Sequence, residues 1–170
     1  MPSAWHYARI VVAAGSSLAL FGCQPTESLN NVSRYAHYAH LVLYADGITS
    51  ERVRIDVRDG NGEEAYAIAD RMANDMYAAA SKLQSDAPEG FDRTGEAFEE
   101  YALSASKAFR DTANDLSAPS LERSKRLLDE MARLNARTKT AIDAFESDLD
   151  HAPFTKPEKQ RLVNRLLKGP

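Results

Sequence analysis

The strongest constraint on the fold is the spacing of apolar residues in the segment that begins at Glu63. Apolar side chains recur there every three or four residues, which places them on one face of an α-helix and does not fit the two-residue period of a strand. The segment stops near Ser85, before the turn-forming sequence Pro88-Glu89-Gly90. The apolar face consists of Ala65, Ile68, Ala69, Met72, Met76, Ala80 and Leu83.

Four further segments show the same spacing. The first begins at a capping residue, Thr26 or Ser28, and we expect it to end at Asp46-Gly47, where glycine suits a left-handed terminal position. The third stops at residues 117–120, and the fourth and longest follows at once. The last opens with Thr155-Lys156-Pro157-Glu158, which fits a capping box with an early proline. Representative apolar positions are Leu29, Val32, Ala36, Ala39 and Leu43 in the first, Phe98, Tyr101, Ala105 and Phe109 in the third, Leu134, Ala141, Phe145 and Leu149 in the fourth, and Leu162, Val163, Leu166 and Leu167 in the last.

Residues 48–62 depart from this helical period. The sequence Arg52-Val53-Arg54-Ile55-Asp56-Val57-Arg58 alternates as a strand does, and Asp59-Gly60-Asn61-Gly62 is typical of a turn. No second alternating segment follows, and an isolated strand leaves its backbone groups without partners. We therefore expect an extended connection or an exposed edge, with Arg52, Arg54 and Arg58 on one side as a candidate partner contact.

The length and composition fit one globular domain. The chain has 170 residues, 44% of them hydrophobic, and a length of this kind buries roughly two thirds of its unfolded surface. Long helices with short connections pack most economically side by side in alternating directions. The sequence predicts an all-α fold, an antiparallel bundle of about four long helices plus a short C-terminal helix, over residues 28–170.

The N-terminal segment has a different character from the rest of the chain. Arg9 is followed by an uncharged apolar run over residues 10–22, which ends at Cys23. As a helix this run reaches only about 20 Å, whereas the hydrocarbon core of a bilayer is about 30 Å thick. The segment therefore predicts a cleaved signal peptide over residues 1–22 and not a membrane-spanning helix.

The end of the run, Leu20-Phe21-Gly22-Cys23, resembles the lipobox of bacterial lipoproteins. Leu20, Gly22 and the essential cysteine match, while Phe21 is bulkier than the residue usual at its position. The resemblance implies recognition of Leu20, Phe21 and Gly22 by the lipoprotein signal peptidase, and a diacylglyceryl group and an N-acyl chain on Cys23. It makes residues 23–27 a lipidated tether. Gln24, in place of a retention aspartate, favours an outer-membrane anchor with the domain facing the periplasm.

Metal and catalytic patterns are weak. His37 and His40 share a helix face and are the weak candidates for a metal site, although packing of both residues in the bundle is the simpler interpretation. Asp148 and His151 are also three residues apart, but a di-iron bundle needs two such pairs with further carboxylates. The single cysteine excludes an internal disulfide, and no nucleophile elbow or phosphate-binding loop occurs. We expect no enzyme activity and no cofactor besides the covalent lipid.

Charge is divided unevenly along the chain. Residues 23–154 carry 15 basic and 24 acidic side chains, and residues 155–170 carry five basic side chains and one acidic side chain. The overall charge of -4 argues against a nucleic-acid partner. The basic terminal helix is expected to dock on the acidic bundle, with contact to anionic lipid or polymer through Leu162, Val163, Leu166 and Leu167 as the alternative.

These features predict a lipid-anchored protein of the bacterial envelope. The bundle would act as a binding or scaffolding module for an envelope protein or polymer, with the membrane as its other partner. Two alternatives remain open: an inhibitor or immunity protein against a toxin or envelope hydrolase, with the arginine-rich segment as its contact edge, and a metal-binding bundle that uses His37 and His40.

Overall fold

The computed structural model describes residues 25–116 and 121–169. Within them the chain forms five α-helices and no strand: α1 Pro25–Arg58, α2 Gly62–Ser85, α3 Asp92–Asp115, α4 Leu121–His151 and α5 Lys156–Lys168. The all-α bundle predicted from the apolar spacing is thereby confirmed. The residues of the lipobox lie outside the described part of the chain, as does the break predicted at residues 117–120.

The long helices pack in chain order, each beside the next. The most extensive contact is between α2 and α3, while α4 packs on α3 and α1 packs on α2. Hydrogen bonds give their relative directions: the Tyr35 hydroxyl on α1 donates to the Leu83 carbonyl at the far end of α2 (2.9 Å), and the Ser106 hydroxyl on α3 donates to the Ala73 carbonyl (2.6 Å). With the short turns between the helices, these contacts make the neighbours antiparallel.

The core is formed by large side chains set among alanines. Phe98, Tyr101 and Phe145 are at most 1% exposed, and the ring of Phe98 meets the ring of Tyr35 edge-on at 6.3 Å. Burial of a phenylalanine or leucine side chain contributes about 1.5–3 kcal/mol each. The α2 face that packs inward holds five fully or nearly fully buried alanines, which let the helix backbones approach closely: Ala65, Ala69, Ala73, Ala79 and Ala80.

The predicted end of the first helix at Asp46-Gly47 is wrong, and so is the extended connection after it. α1 continues without interruption to Arg58. It ends where the Gly60 N–H donates to the Val57 carbonyl (3.3 Å) and the Asn61 N–H donates to the Asp56 carbonyl (2.8 Å). Gly60 has a φ of 81°, so this is a Schellman cap on the second of two Asp-Gly pairs.

Ion pairs within the helix explain the alternating sequence. The Arg52 Nε lies 2.7 Å from Asp56 Oδ2 four residues on, and Arg54 pairs with Glu51 three residues back at 2.6 Å. These are the spacings at which charged side chains meet on a helix surface. Val53 and Asp56 point into the bundle at 6% and 2% exposure, which is one helical turn and not a strand period.

Two other predicted boundaries are confirmed. α2 ends at Ser85, and α5 begins after Thr155, whose backbone N–H donates to Glu158 Oε2 at 2.8 Å as a capping box requires. The hydrogen bonds of Thr155 also lower the pKa of the Glu158 carboxyl. In the described ranges, no helix combines the length and the apolar character that crossing a bilayer requires.

Candidate functional site

The last helix docks on the first, and this contact contains both candidate metal ligands. Leu162 and Leu166 of α5 are buried, at 3% and 0% exposure. His40 on α1 places its Nδ1 3.0 Å from the Leu166 carbonyl oxygen, so Nδ1 carries the proton and donates. The expected docking of the basic helix is therefore found. Apolar side chains hold it, together with the His40 hydrogen bond to α1 and a hydrogen bond from the Lys159 ammonium to the Asp150 carbonyl of α4 at 2.9 Å.

Gly169 closes this contact at the end of α5. Its N–H donates to the Arg165 carbonyl at 3.1 Å, and its φ is 80°, which favours glycine. A Cβ at this position would lie 2.8 Å from the His40 Nε2, so the backbone of residue 169 lies directly against that nitrogen. The imidazole of His40 also stacks on the ring of Tyr44, with centroids 5.9 Å apart. Both ring nitrogens of His40 thus face α5.

His37 lies one turn earlier on α1, beside the same helix. Its Nδ1 is buried and has no hydrogen-bond partner among the described groups, and the same holds for the Nε of Arg165 on α5. Burial lowers the pKa of His37, and the positive charges of Arg165 and His40 lower it further. The neutral imidazole is therefore the form that the α1–α5 contact accommodates.

Among the described residues, His37 and His40 have no third potential metal ligand beside them. In the parts of the chain that the structure describes, no three His, Cys, Asp or Glu side chains lie close enough together to hold a metal ion. His37 and His40 share a face, as the spacing predicts, and that face is the one on which α5 packs. Helix packing was the simpler interpretation of the two residues, and the geometry follows it.

Asp148 and His151 also have separate roles. Asp148 is 7% exposed and accepts hydrogen bonds from the backbone and the hydroxyl of Thr94, whereas His151 is exposed and its Nδ1 lies 2.7 Å from the carbonyl of Ser147 in its own helix. One side chain joins two helices and the other caps its own last turn. The pair does not share a ligand position.

The three arginines of the candidate partner contact do not form a single edge. Because residues 52–58 are helical, Arg54 and Arg58 share a face, while Arg52 points to about the opposite side of the helix. Each side chain is exposed and already paired, Arg52 with Asp56, Arg54 with Glu51 and Arg58 with Asp59. The strand-like edge that motivated the inhibitor alternative is absent from this segment.

A partly buried carboxyl between α1 and α3 has no signal in the local sequence. Asp46 accepts hydrogen bonds from the Tyr101 hydroxyl on α3 and, at 3.3 Å, from the Ser50 hydroxyl one turn on. Burial raises the pKa of Asp46 in spite of these two hydrogen bonds, and burial beside Asp46 raises the pKa of Tyr101. The Asp46–Tyr101 contact lies at the position where the sequence suggested a helix end.

The outward surface of α5 differs from the rest of the bundle. Lys156, Arg161 and Lys168 are exposed, and among the described residues no carboxylate lies within ion-pair distance of any α5 cation. Several exposed cations elsewhere do pair with a carboxylate, as Lys107 does with Asp111 at 2.7 Å. Within the described part of the chain, direct ion pairs therefore make no contribution to the docking of α5.

Exposed aromatic side chains mark a second surface, on α2. Tyr66 and Tyr77 are 49% and 66% exposed and lie eleven residues apart, which is three helical turns and hence the same face. Leu103 on α3, 39% exposed, lies near the level of Tyr77, because Ser106 contacts Ala73 across the same pair of helices. We call Tyr66, Tyr77 and Leu103 the tyrosine face.

One open groove lies between the end of α3 and the start of α4. It has a volume of about 400 Å³ and a polar lining that includes Lys107, Asp111, Asp115, Glu130 and Arg133. Charged neighbours along it pair with each other, as Lys107 does with Asp111. Its described lining contains no serine, cysteine or histidine that could act as a nucleophile or general base.

Comparisons with protein-family models, with curated proteins and with solved structures found no match to this chain.

Proposed function

We propose that this chain is a bacterial lipoprotein whose helical bundle serves as a binding or scaffolding module at the envelope. The observation that carries the proposal is Leu20-Phe21-Gly22-Cys23 at the end of an uncharged apolar run, with the only cysteine at the position of lipid attachment. Several acyl chains give a stable anchor, whereas one alone binds a membrane only marginally.

The position of the bundle supports the same proposal. α1 begins at Pro25, two residues after Cys23, so the anchor leads directly into the folded domain. An outer-membrane anchor would hold the bundle against the inner surface of that membrane, in the periplasm. A binding role is supported by the tyrosine face, because exposed tyrosines present apolar area with a polar tip and are enriched where proteins contact partners.

Acyl labelling tests the anchor. Cells that express the wild-type chain or Cys23→Ala are grown with a labelled fatty acid, and the protein is recovered. We expect label in the wild type and none in the variant, together with a shift of the variant to the unprocessed mass. A wild-type protein that takes up no lipid would contradict the proposal.

Site-specific photo-crosslinking tests the binding role. A crosslinking side chain replaces Tyr77 on the tyrosine face, and in the control it replaces Glu146, an exposed residue of α4. We expect one defined envelope component to be captured from Tyr77 and not from Glu146. Equal capture from both positions would argue against the tyrosine face as the binding surface.

A further inference from the structure

We infer that the outward face of α5 is a contact surface for anionic lipid, which holds the bundle on its side against the membrane. This deepens the proposed function: the side-on orientation rests on the lipid anchor at Cys23, while the affinity of the α5 surface for lipid does not.

The exposed residues of α5 gather on one side of the helix. At 100° per residue, they fall within an arc of about 140°. These residues are Lys156, Pro157, Gln160, Arg161, Leu167 and Lys168. The arc holds three cations and no acid. The one carboxylate of the helix, Glu158, lies outside the arc and accepts the hydrogen bonds of Thr155.

The opposite side of α5 is fully used by the fold. Leu162 and Leu166 are buried against the bundle, and His40 and Gly169 close the contact at the end of the helix. Of the four apolar residues proposed from the sequence as a lipid contact, Leu162 and Leu166 are therefore not available, and Val163 is partly buried. The outward side carries the three cations together with Gln160 and two apolar residues, Pro157 and Leu167, the latter 47% exposed.

Charge complementarity selects anionic lipid as the occupant. Among the described residues, no carboxylate lies within ion-pair distance of the cations of the arc, and the charge of Arg161 acts on Glu158 only at longer range. A Lys or Arg side chain near an anionic leaflet is attracted to it. Residues 23–154 hold 15 basic and 24 acidic side chains, so the rest of the protein carries a net negative charge that the same leaflet repels. A surface of this kind therefore determines which side of the bundle meets the membrane.

The position of α5 brings this face within reach of the bilayer. α5 ends against His40, which is 15 positions along α1 from Pro25 and so about 22 Å from the start of that helix. Cys23 precedes Pro25 by two residues. Acyl chains at one end of α1 and a cationic face beside its first half would contact the same membrane when the bundle lies on its side.

Vesicle flotation of residues 24–170 tests the surface without the anchor, since this segment contains all five helices and the whole described core. Vesicles of phosphatidylcholine are compared with vesicles in which part of it is replaced by phosphatidylglycerol. We expect binding only to the anionic vesicles, with loss of binding at high salt. Each cation near an anionic membrane surface raises the binding affinity about fivefold. The triple variant Lys156→Gln/Arg161→Gln/Lys168→Gln should therefore bind the anionic vesicles about a hundredfold more weakly.

A matched triple variant serves as the control, because it removes three positive charges from surfaces outside α5. Arg93→Gln/Lys107→Gln/Lys139→Gln changes three exposed cations on α3 and α4 and should leave most of the binding intact. Circular dichroism shows that both triples are folded. Equal losses in the two triples, or equal binding to neutral vesicles, would overturn the proposed surface. Acyl labelling reports on the anchor separately, so either proposal can fail while the other stands.

Discussion

Asp148 on α4 caps the first turn of α3 through Thr94. Its Oδ2 accepts the Thr94 N–H at 3.0 Å and the Thr94 hydroxyl at 2.7 Å, and both side chains are buried. The residue at the N-cap itself, Phe91, has no capping group and packs its ring 5.8 Å from that of Phe145. A carboxylate from a neighbouring helix thus satisfies a donor that the local sequence leaves unpaired, and a negative charge suits a helix N-terminus.

Asp148→Ala should therefore reduce the free energy of unfolding by about 2–3 kcal/mol, because it leaves two buried donors without an acceptor. Asp150→Ala, an exposed carboxylate on the same helix, is the control and should change stability by less than about 0.5 kcal/mol. Urea unfolding of both variants measures the difference. Equal stability of the two variants would show that the Thr94 contact contributes little.

Replacement of two helical glycines by alanine should change the stability of the protein in opposite directions. Gly47 is exposed within α1 and an added Cβ meets nothing within 4 Å, so Gly47→Ala should stabilise the protein by about 0.5–1 kcal/mol. A Cβ at Gly95 would lie 2.8 Å from the Ala87 Cβ, so Gly95→Ala should destabilise it by about 1–3 kcal/mol. Thermal unfolding measures both. A destabilising Gly47→Ala would indicate that the helix ends at Asp46-Gly47.

The fold follows from the sequence wherever the apolar period is regular, as in α2, where the predicted end at Ser85 is the observed end. The prediction from sequence fails at residues 46–58, because two Asp-Gly pairs offer equivalent local caps for the end of the helix. The Schellman hydrogen bonds form at Gly60, and the carboxyl of Asp46 is held by Tyr101, which is 55 residues away. That partner cannot be identified from the spacing of residues near position 46.

The candidate site shows the same limit. The three-residue spacing correctly places His37 and His40 on one face, and the capping box correctly identifies Thr155 as the N-cap of α5. The docking of α5 on those histidines joins positions 126 residues apart, and Thr94 lies 54 residues from Asp148. Local periodicity shows which faces are apolar, but it contains no information on which two faces meet.

Two neighbouring leucines of α5 have different roles, since one packs against the bundle and the other lies on the outward face proposed to contact lipid. Leu166 is 0% exposed and Leu167 is 47% exposed. Leu166→Ala should cost about 2–5 kcal/mol of docking free energy, which accelerates hydrogen exchange of the α5 amides, whereas Leu167→Ala should leave that exchange unchanged. Slow exchange retained in Leu166→Ala would contradict an apolar origin of the docking.

Acidification should loosen the α1–α5 contact through His37. Its pKa lies below the ordinary value of 6.5 in the folded protein, because burial, Arg165 and His40 disfavour the imidazolium. The unfolded chain therefore binds a proton more readily, so the stability contributed by neutral His37 is present above about pH 6.5 and is lost as the pH falls through the folded pKa.

His37→Gln removes the proton site, and its stability relative to wild type should rise as the pH is lowered from about 7.5 to about 5.5. His151→Gln, which replaces an exposed histidine outside the α1–α5 contact, is the control for the loss of an imidazole. Urea unfolding across this pH range measures the three profiles, and parallel curves for wild type and His37→Gln would contradict a neutral His37 at the contact.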